Sequence, residues 1–101
     1  MATTVKALYR GAATTNTATT LYTVPASTTA VITNIVVTNT SGSIQTYTLA
    51  LDGISIATTV NIAANDSIII DMKQVLATTK TITGGASATS VNFHISGVEI
   101  A

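Results

Sequence analysis

The chain has 101 residues, the size of one domain, and only 8% of them are charged, at a formal net charge of zero. A typical soluble domain is about 25% charged. Four scattered cations exclude a nucleic-acid-binding protein, which needs clustered positive charge to neutralise phosphates. With no cysteine and one histidine, the chain lacks both a disulfide framework and the ligands of a zinc or iron–sulfur site. We therefore expect no cofactor, no metal and no nucleic-acid partner.

The residue types favour β-structure along the whole chain. Isoleucine, valine and threonine supply 43 of 101 residues, and these side chains pack well on pleated surfaces. Alternation of apolar and polar residues places strands over residues 5–10, 21–24, 29–39, 45–52, 54–60, 67–72, 79–83 and 89–100. This pattern predicts an all-β fold, a jelly-roll-like antiparallel β-sandwich of about eight strands in a single domain.

The first predicted strand is separated from the others by a low-complexity segment. Residues 11–20 are rich in threonine and alanine and contain no large apolar side chain. Two interpretations stay open: an exposed loop, or a flexible tether that lets residues 5–10 pair with a neighbouring subunit. We divide the chain accordingly into residues 1–19, an N-terminal strand or arm with its flexible segment, and residues 20–101, the β-sandwich.

Two glycine-containing pairs predict turns. Asp52-Gly53 is a hairpin signal, because both residues tolerate the positive φ of a type I′ turn. After this turn the alternation places three apolar residues on one face of the returning strand: Ile54, Ile56 and Val60. Gly84-Gly85 predicts a turn that closes the seventh strand.

Two predicted strands have an unusual apolar pattern. Residues 29–39 are apolar on both faces, which predicts a central strand covered on both sides. The alternation groups Val31 with Ile35 and Val37, opposite Ile32 and Val36. In the last strand the apolar positions run through Val91, Phe93 and Ile95 and then shift to Val98 and Ile100, which predicts a β-bulge at Ser96-Gly97.

The residues that could support catalysis lie outside any catalytic motif. His94 and Ser96 share a strand face, but the chain has no Gly-x-Ser-x-Gly sequence. The carboxylates match no metal-binding loop. Asp52 and Asp66 are interpreted as turn residues, and Asp71 as an outward-facing strand residue. We predict a protein that is not an enzyme.

Five segments carry a resemblance to a known group of proteins. They are residues 21–26 (LYTVPA), 39–41 (NTS), 49–53 (LALDG), 62–66 (IAAND) and 96–100 (SGVEI). Their order resembles small β-sandwich structural proteins of tailed bacteriophages, which decorate the head or belong to the tail. The resemblance covers roughly the chain from Thr20 onward. It implies a non-enzymatic virion protein that is commonly oligomeric, with trimers frequent among decoration proteins.

From this resemblance we expect a capsid decoration or cement protein that stabilises the phage head, made in the host cytoplasm and located in the virion. The expected partners are copies of itself, as a trimer, and the major capsid protein or tail proteins. The sequence shows no secretory signal and no apolar run long enough to cross a membrane. Two alternatives stay open: a tail- or fibre-associated protein, and a glycan-binding receptor module that would use Tyr9 and Tyr22 as surface aromatics.

The N-terminal strand is the predicted intersubunit or capsid contact, made by adding a strand to a neighbouring sheet. Its candidate residues are Val5, Leu8, Tyr9 and Arg10. The low charge supports an assembled working state, because free domains ordinarily protect sheet edges and surfaces with lysine and glutamate.

Overall fold

The computed structural model describes residues 2–101, which form eight β-strands and no helix. The strands are β1 (Thr3–Ala12), β2 (Thr20–Thr23), β3 (Thr29–Asn39), β4 (Gln45–Leu51), β5 (Ile54–Ile62), β6 (Ser67–Leu76), β7 (Thr81–Ala86) and β8 (Val91–Ile100). They make two four-stranded antiparallel sheets, ordered β1-β8-β3-β6 and β2-β7-β4-β5. All connections except the β4–β5 hairpin cross between the sheets. This is the strand order of a jelly roll, so the predicted fold class is confirmed.

The core lies between the two sheets and is built from alternate residues of each strand. Ile35, Phe93 and Ile95 come from the first sheet, and Leu49 and Tyr47 face them from the second. The rings of Tyr47 and Phe93 meet edge to face across the core, with centroids 6.5 Å apart and planes at 74°. Such aromatic pairs stabilise a fold beyond the area they bury, so this contact helps to hold the sheets together.

The β4–β5 hairpin has the predicted turn but an irregular second strand. Asp52 and Gly53 both have positive φ, 53° and 75°, as a type I′ turn requires. In β5 the pairing with β4 shifts register twice, and Thr59 lies at φ 49°. Because of these shifts, Ala57 and Val60 both pack against the core while Ile56 is exposed. The predicted grouping of apolar residues on one face of this strand is therefore wrong.

Strand β3 is central, as predicted, but its two faces differ from the simple alternation. The pairing of β3 with both neighbours shifts between Ile32 and Asn34. The shift places Ile32 and Ile35 together in the core. Val31 and Val36 are half-buried on the outer face, and residues 2–101 form no further layer over them. The predicted grouping of Val31 with Ile35 is wrong for this reason.

Strand β8 alternates regularly from Val91 to Gly97, without the predicted bulge. The extra residues lie in its neighbours instead, between Ala7 and Tyr9 in β1 and at Thr33 in β3. The apolar shift to Val98 therefore marks a change from inner-face to outer-face apolar residues along one continuous strand.

Gly84 and Gly85 lie inside β7, so the predicted turn at this pair is wrong. A Cβ atom on Gly84 would stand 2.6 Å from the backbone oxygen of Thr48 in β4. On Gly85 it would stand 2.4 Å from the backbone oxygen of Asn16. Glycine inside a strand often marks such a close approach of another backbone, and here it lets β4 and the β1–β2 connection pack against β7.

The segment after β1 is hydrogen-bonded to the sandwich. The backbone N–H groups of Gly84 and Ala86 donate to the oxygens of Thr19 and Thr14, each at 2.9 Å. The side-chain oxygen of Asn16 accepts from the N–H of Ala18 at 2.9 Å. These bonds hold the segment alongside β7. Strand β1 itself pairs with β8 of the same chain.

Candidate interaction surface

A row of four valines crosses the outer face of the β1-β8-β3-β6 sheet. The strand register places Val5 opposite Val98, Val98 opposite Val31, and Val31 opposite Val75. Directly opposite side chains in antiparallel strands share a face and stand about 4.5–5.5 Å apart at Cβ. With neighbouring strands about 4.8 Å apart, this valine row is about 14 Å long. It forms an unbroken apolar strip from one edge of the sheet to the other.

Exposure rises toward the ends of the valine row. Val5 and Val75 are 85% and 65% exposed, whereas Val98 and Val31 between them are half-buried. On one side the adjacent row pairs Ile100 with Thr3 and Thr29 and is uncharged. Contiguous apolar area on a sheet face, unlike single exposed side chains, indicates an interaction site.

The four predicted contact residues of the first strand are divided between surface and core. Val5 belongs to the valine row, and Arg10 is exposed. Leu8 is buried in the core of its own chain, and Tyr9 packs against that core while its hydroxyl donates to the Ala12 oxygen at 2.9 Å. An intersubunit contact through this strand stays a prediction, with Val5 and Arg10 as its accessible members.

A hydrogen-bonded cluster closes the sandwich beside the chain ends. The Tyr22 hydroxyl donates to Glu99 Oε2 at 2.5 Å, and Lys6 Nζ lies 3.3 Å from Glu99 Oε1. The bond from Tyr22, together with Lys6, holds the pKa of the Glu99 carboxyl below its usual range, although burial opposes this. Burial, followed by the bond to Glu99, raises the pKa of Tyr22. Tyr22 is buried in this cluster, so its predicted role as a surface aromatic is wrong.

The residues considered for catalysis lie apart or have structural partners. His94 and Ser96 are on the outer face, opposite Val36 and Asn34 respectively. Asp66 Oδ1 accepts from the N–H of Ser67 at 2.8 Å. Among residues 2–101, no three histidine, cysteine or acidic side chains come together as a metal site. The described part of the chain also forms no pocket and no helix that could cross a membrane.

The valine row was not predicted from the sequence, although one signal of it was present. The shift of apolar positions to Val98 and Ile100 predicts a bulge from the sequence alone, whereas in the structure it results from apolar residues on the outer face. Val5 and Val75 lie in strands far apart in sequence, and only the register of four strands brings them into one row.

Comparison with known proteins supports the fold. No protein-family model and no curated protein matches the sequence. Among solved structures, the chain is similar to the Drosophila NLP core, with a TM-score of 0.57 and 16% identity over 95% of this chain and 100% of that chain. The NLP-core structure provides insight into pentamer formation and histone binding by that protein.

Two viral proteins align less closely. The first is a chain of the T13 infectious bursal disease virus particle, with a TM-score of 0.49 and 12% identity over 97% of this chain and 29% of that chain. The second is a pentameric capsid protein isolated from metagenomic phage sequences, with a TM-score of 0.38 and 18% identity over 96% of this chain and 59% of that chain. This chain therefore spans less than two thirds of either viral chain. At these identities, what the comparisons establish is the β-sandwich fold shared with the NLP core.

Proposed function

We propose that this protein is a non-enzymatic structural component of a virion, a capsid decoration protein that acts as a homo-oligomer and stabilises a phage head. The observation that carries the proposal is the valine row. A strip of apolar side chains that crosses a whole sheet face loses contact with water when a second protein covers it, and burial of this kind drives most protein association.

The face is suited to holding a fixed shape against a partner. Strands β8 and β3, which carry Val98 and Val31, are each hydrogen-bonded on both sides. Because these strands cannot move without breaking two ladders, the face presents its valines in one geometry. A decoration protein that binds the assembled shell in preference to free subunits stabilises the shell by mass action, by about 2.7 kcal/mol at a concentration of 100 times Kd.

Two further observations support this role. The segment order in residues 20–101 resembles small structural proteins of tailed phages, and the strand order is a jelly roll. The NLP core, which shares the fold, is described as a pentamer, which supports self-association but leaves the trimer a part of our proposal. Its histone binding is not carried over, because this chain has four acidic residues and no net charge to attract a basic partner.

Labelling of virions tests the proposed location. Gold-labelled antibody against the protein, applied to virions of the phage that encodes it, should mark the head. Label at the tail tip alone would replace the decoration role with the tail-associated alternative. Virions that carry no label would overturn the virion role.

A variant of the central valine tests the proposed surface. Val98→Thr keeps the shape and β-propensity of the side chain but adds a hydroxyl, so it should weaken binding to purified heads that lack the protein. Ile56→Thr makes the same kind of change on the other sheet, at a residue that is 42% exposed, and should leave head binding unchanged. Equal binding by both variants would exclude the valine row as the capsid contact.

A further inference from the structure

The two sheets have four free edges, and three of them are protected against pairing with another chain. Strand β1 carries the cations Lys6 and Arg10. Strand β2 is four residues long and is followed closely by Pro25. Strand β5 is interrupted by two register shifts. Cations, proline, short length and bulges are the devices by which proteins keep sheet edges from pairing.

Strand β6 is the fourth free edge, and its exposed residues differ from those of the other three. It pairs with β3 on one side only, with a single register shift between Asp71 and Gln74, and across that shift its odd-numbered residues from Ile69 to Val75 all stay exposed. In order they are Ile69, Asp71, Lys73 and Val75, two apolar residues flanking an acid and a base. The register places Ile69, Asp71 and Val75 opposite outer-face residues of β3, so these side chains belong to the outer face of the sheet.

We infer that β6 pairs antiparallel with β6 of a second copy of this chain, about a two-fold axis at Met72. In this register, residues whose numbers are symmetric about 72 lie opposite each other. Ile69 then faces Val75 of the second copy, and Asp71 faces its Lys73. Symmetry repeats both pairs, so the contact contains two apolar pairs and two opposite-charge pairs, which are both favourable across antiparallel strands.

The charges also select this register over its neighbours. An axis at Asp71 would place the two copies of that carboxylate against each other, and an axis at Lys73 would do the same with the two ammonium groups. Like charges directly opposite are destabilising. A lone lysine on an edge would repel the same lysine of a second copy. In the register about Met72, Asp71 of one copy instead neutralises Lys73 of the other, and the same register pairs Ile69 with Val75.

The pairing extends the valine row beyond one molecule. Within one chain, Val75 ends that row, and Ile69 lies beside Val36 in another outer-face row. Bringing Val75 against Ile69 of the second copy joins these rows into one strip across the dimer. The contact makes a two-fold dimer of the isolated protein, where our proposed function includes a trimer, so this inference goes beyond that function and needs no capsid to form.

Charge exchange in the isolated protein tests the pairing. Sedimentation equilibrium should show a dimer for the natural sequence, and Lys73→Asp should raise its dissociation constant on the order of tenfold, because it sets carboxylates against each other twice. The double variant Asp71→Lys/Lys73→Asp restores opposite charges by symmetry and should return the constant to within about twofold. Lys80→Asp makes the same charge change at an exposed turn residue and should change nothing.

Disulfide trapping gives an independent measurement, since the natural chain has no cysteine. The two copies of residue 72 face each other across the axis, at the strand separation that a disulfide spans. Met72→Cys should therefore form covalent dimers under mild oxidation, faster than Gln74→Cys. Random collision would give the opposite order, because Gln74 is exposed and Met72 is half-buried.

The outcomes separate this pairing from the proposed function. Any of three results would overturn the β6 contact. They are a monomer at high concentration, a dissociation constant of the double variant as high as that of Lys73→Asp, and faster disulfide formation by Gln74→Cys than by Met72→Cys. A trimer or pentamer insensitive to the charge exchange would also overturn it, while head labelling would still support the virion role. If virions carry no label but the charge-exchange variants change the dissociation constant as expected, the β6 contact is supported and the virion role is overturned.

Discussion

Replacement of Asn39 by aspartate perturbs the most completely bonded polar side chain of the core. Asn39 is fully buried at the end of β3. Its amide nitrogen donates to the oxygens of Ser43 at 2.8 Å and of Ile62 and Ala63 at 3.2 Å each. Its Oδ1 accepts from the N–H and the hydroxyl of Ser41 at 3.0 and 2.8 Å. One side chain therefore ties the β3–β4 connection to the end of β5.

Asn39→Asp keeps the shape of the side chain but replaces the amide group that donates to three backbone carbonyls with a carboxylate oxygen, which can only accept. Two donated hydrogens are lost, and each buried carbonyl left without a donor costs about 1–3 kcal/mol. The buried carboxylate adds a desolvation cost that no cation among its bonded partners offsets. We expect the free energy of unfolding at pH 7 to fall by roughly 3–5 kcal/mol, a large part of the 5–15 kcal/mol typical of a domain.

Urea unfolding followed by circular dichroism measures this loss, with Asn39→Ala as the control that removes the bonds without adding charge. The carbonyl oxygens raise the pKa of the introduced carboxyl in the folded protein. Its stabilising protonated form is fully present below the ordinary carboxyl pKa and is lost as pH rises toward the raised value. The amount by which the free energy of unfolding of Asn39→Asp lies below that of Asn39→Ala should therefore decrease as the pH is lowered. A loss under about 1 kcal/mol at pH 7, or a deficit independent of pH, would refute the reasoning.

Three further predictions concern turn strain, pH dependence and close packing. Thr79 has φ 70° in a turn closed by the Lys80 N–H and Ala77 oxygen, so Thr79→Gly should raise the free energy of unfolding by about 1 kcal/mol in a urea titration; a decrease would contradict the strain. Tyr22→Phe should cost about 1–2 kcal/mol at neutral pH. Because the pKa of Glu99 is lowered, its carboxylate adds stability that is present above the ordinary pKa of 4.5 and is lost as pH falls below it. Because the pKa of Tyr22 is raised, its neutral hydroxyl adds stability that is lost as pH rises above the ordinary pKa of 10. Unfolding titrations across pH should show both losses reduced in the variant, and unchanged losses would exclude this cluster as their source. Gly84→Ala should cost more than about 2 kcal/mol, because its Cβ would stand 2.6 Å from a backbone oxygen; a thermal midpoint equal to that of the natural protein would contradict the close approach.

The fold class was predictable from the sequence because its main signals are local. Alternation of apolar residues located all eight strands, and Asp52-Gly53 identified its turn from the φ preferences of two residues. What the sequence did not reveal depends on neighbours that are distant along the chain. Gly84 and Gly85 resemble a turn until Thr48 and Asn16 are known to lie against them.

The candidate surface was only partly predictable, for the same reason. The sequence predicts Val5 as a contact residue from its place in the first strand, and Val5 lies in the valine row. Leu8 was named with it, yet the register shift between Ala7 and Tyr9 places Leu8 in the core. A one-residue shift exchanges the faces of a strand, and only the pairing with β8 reveals where that shift occurs.

The position of β8 has a consequence for how the chain acquires its structure. Strand β8 lies between β1 and β3, and its register brings Thr3 opposite Ile100. Neither β1 nor β3 has that shared partner until residues 91–100 have been synthesised. Closing a loop of almost the whole chain is slow, as in other sandwiches dominated by long-range pairing. We therefore expect the first sheet to form only after synthesis of β8, with the apolar inner faces of β1 and β3 exposed to chaperones or to aggregation until then.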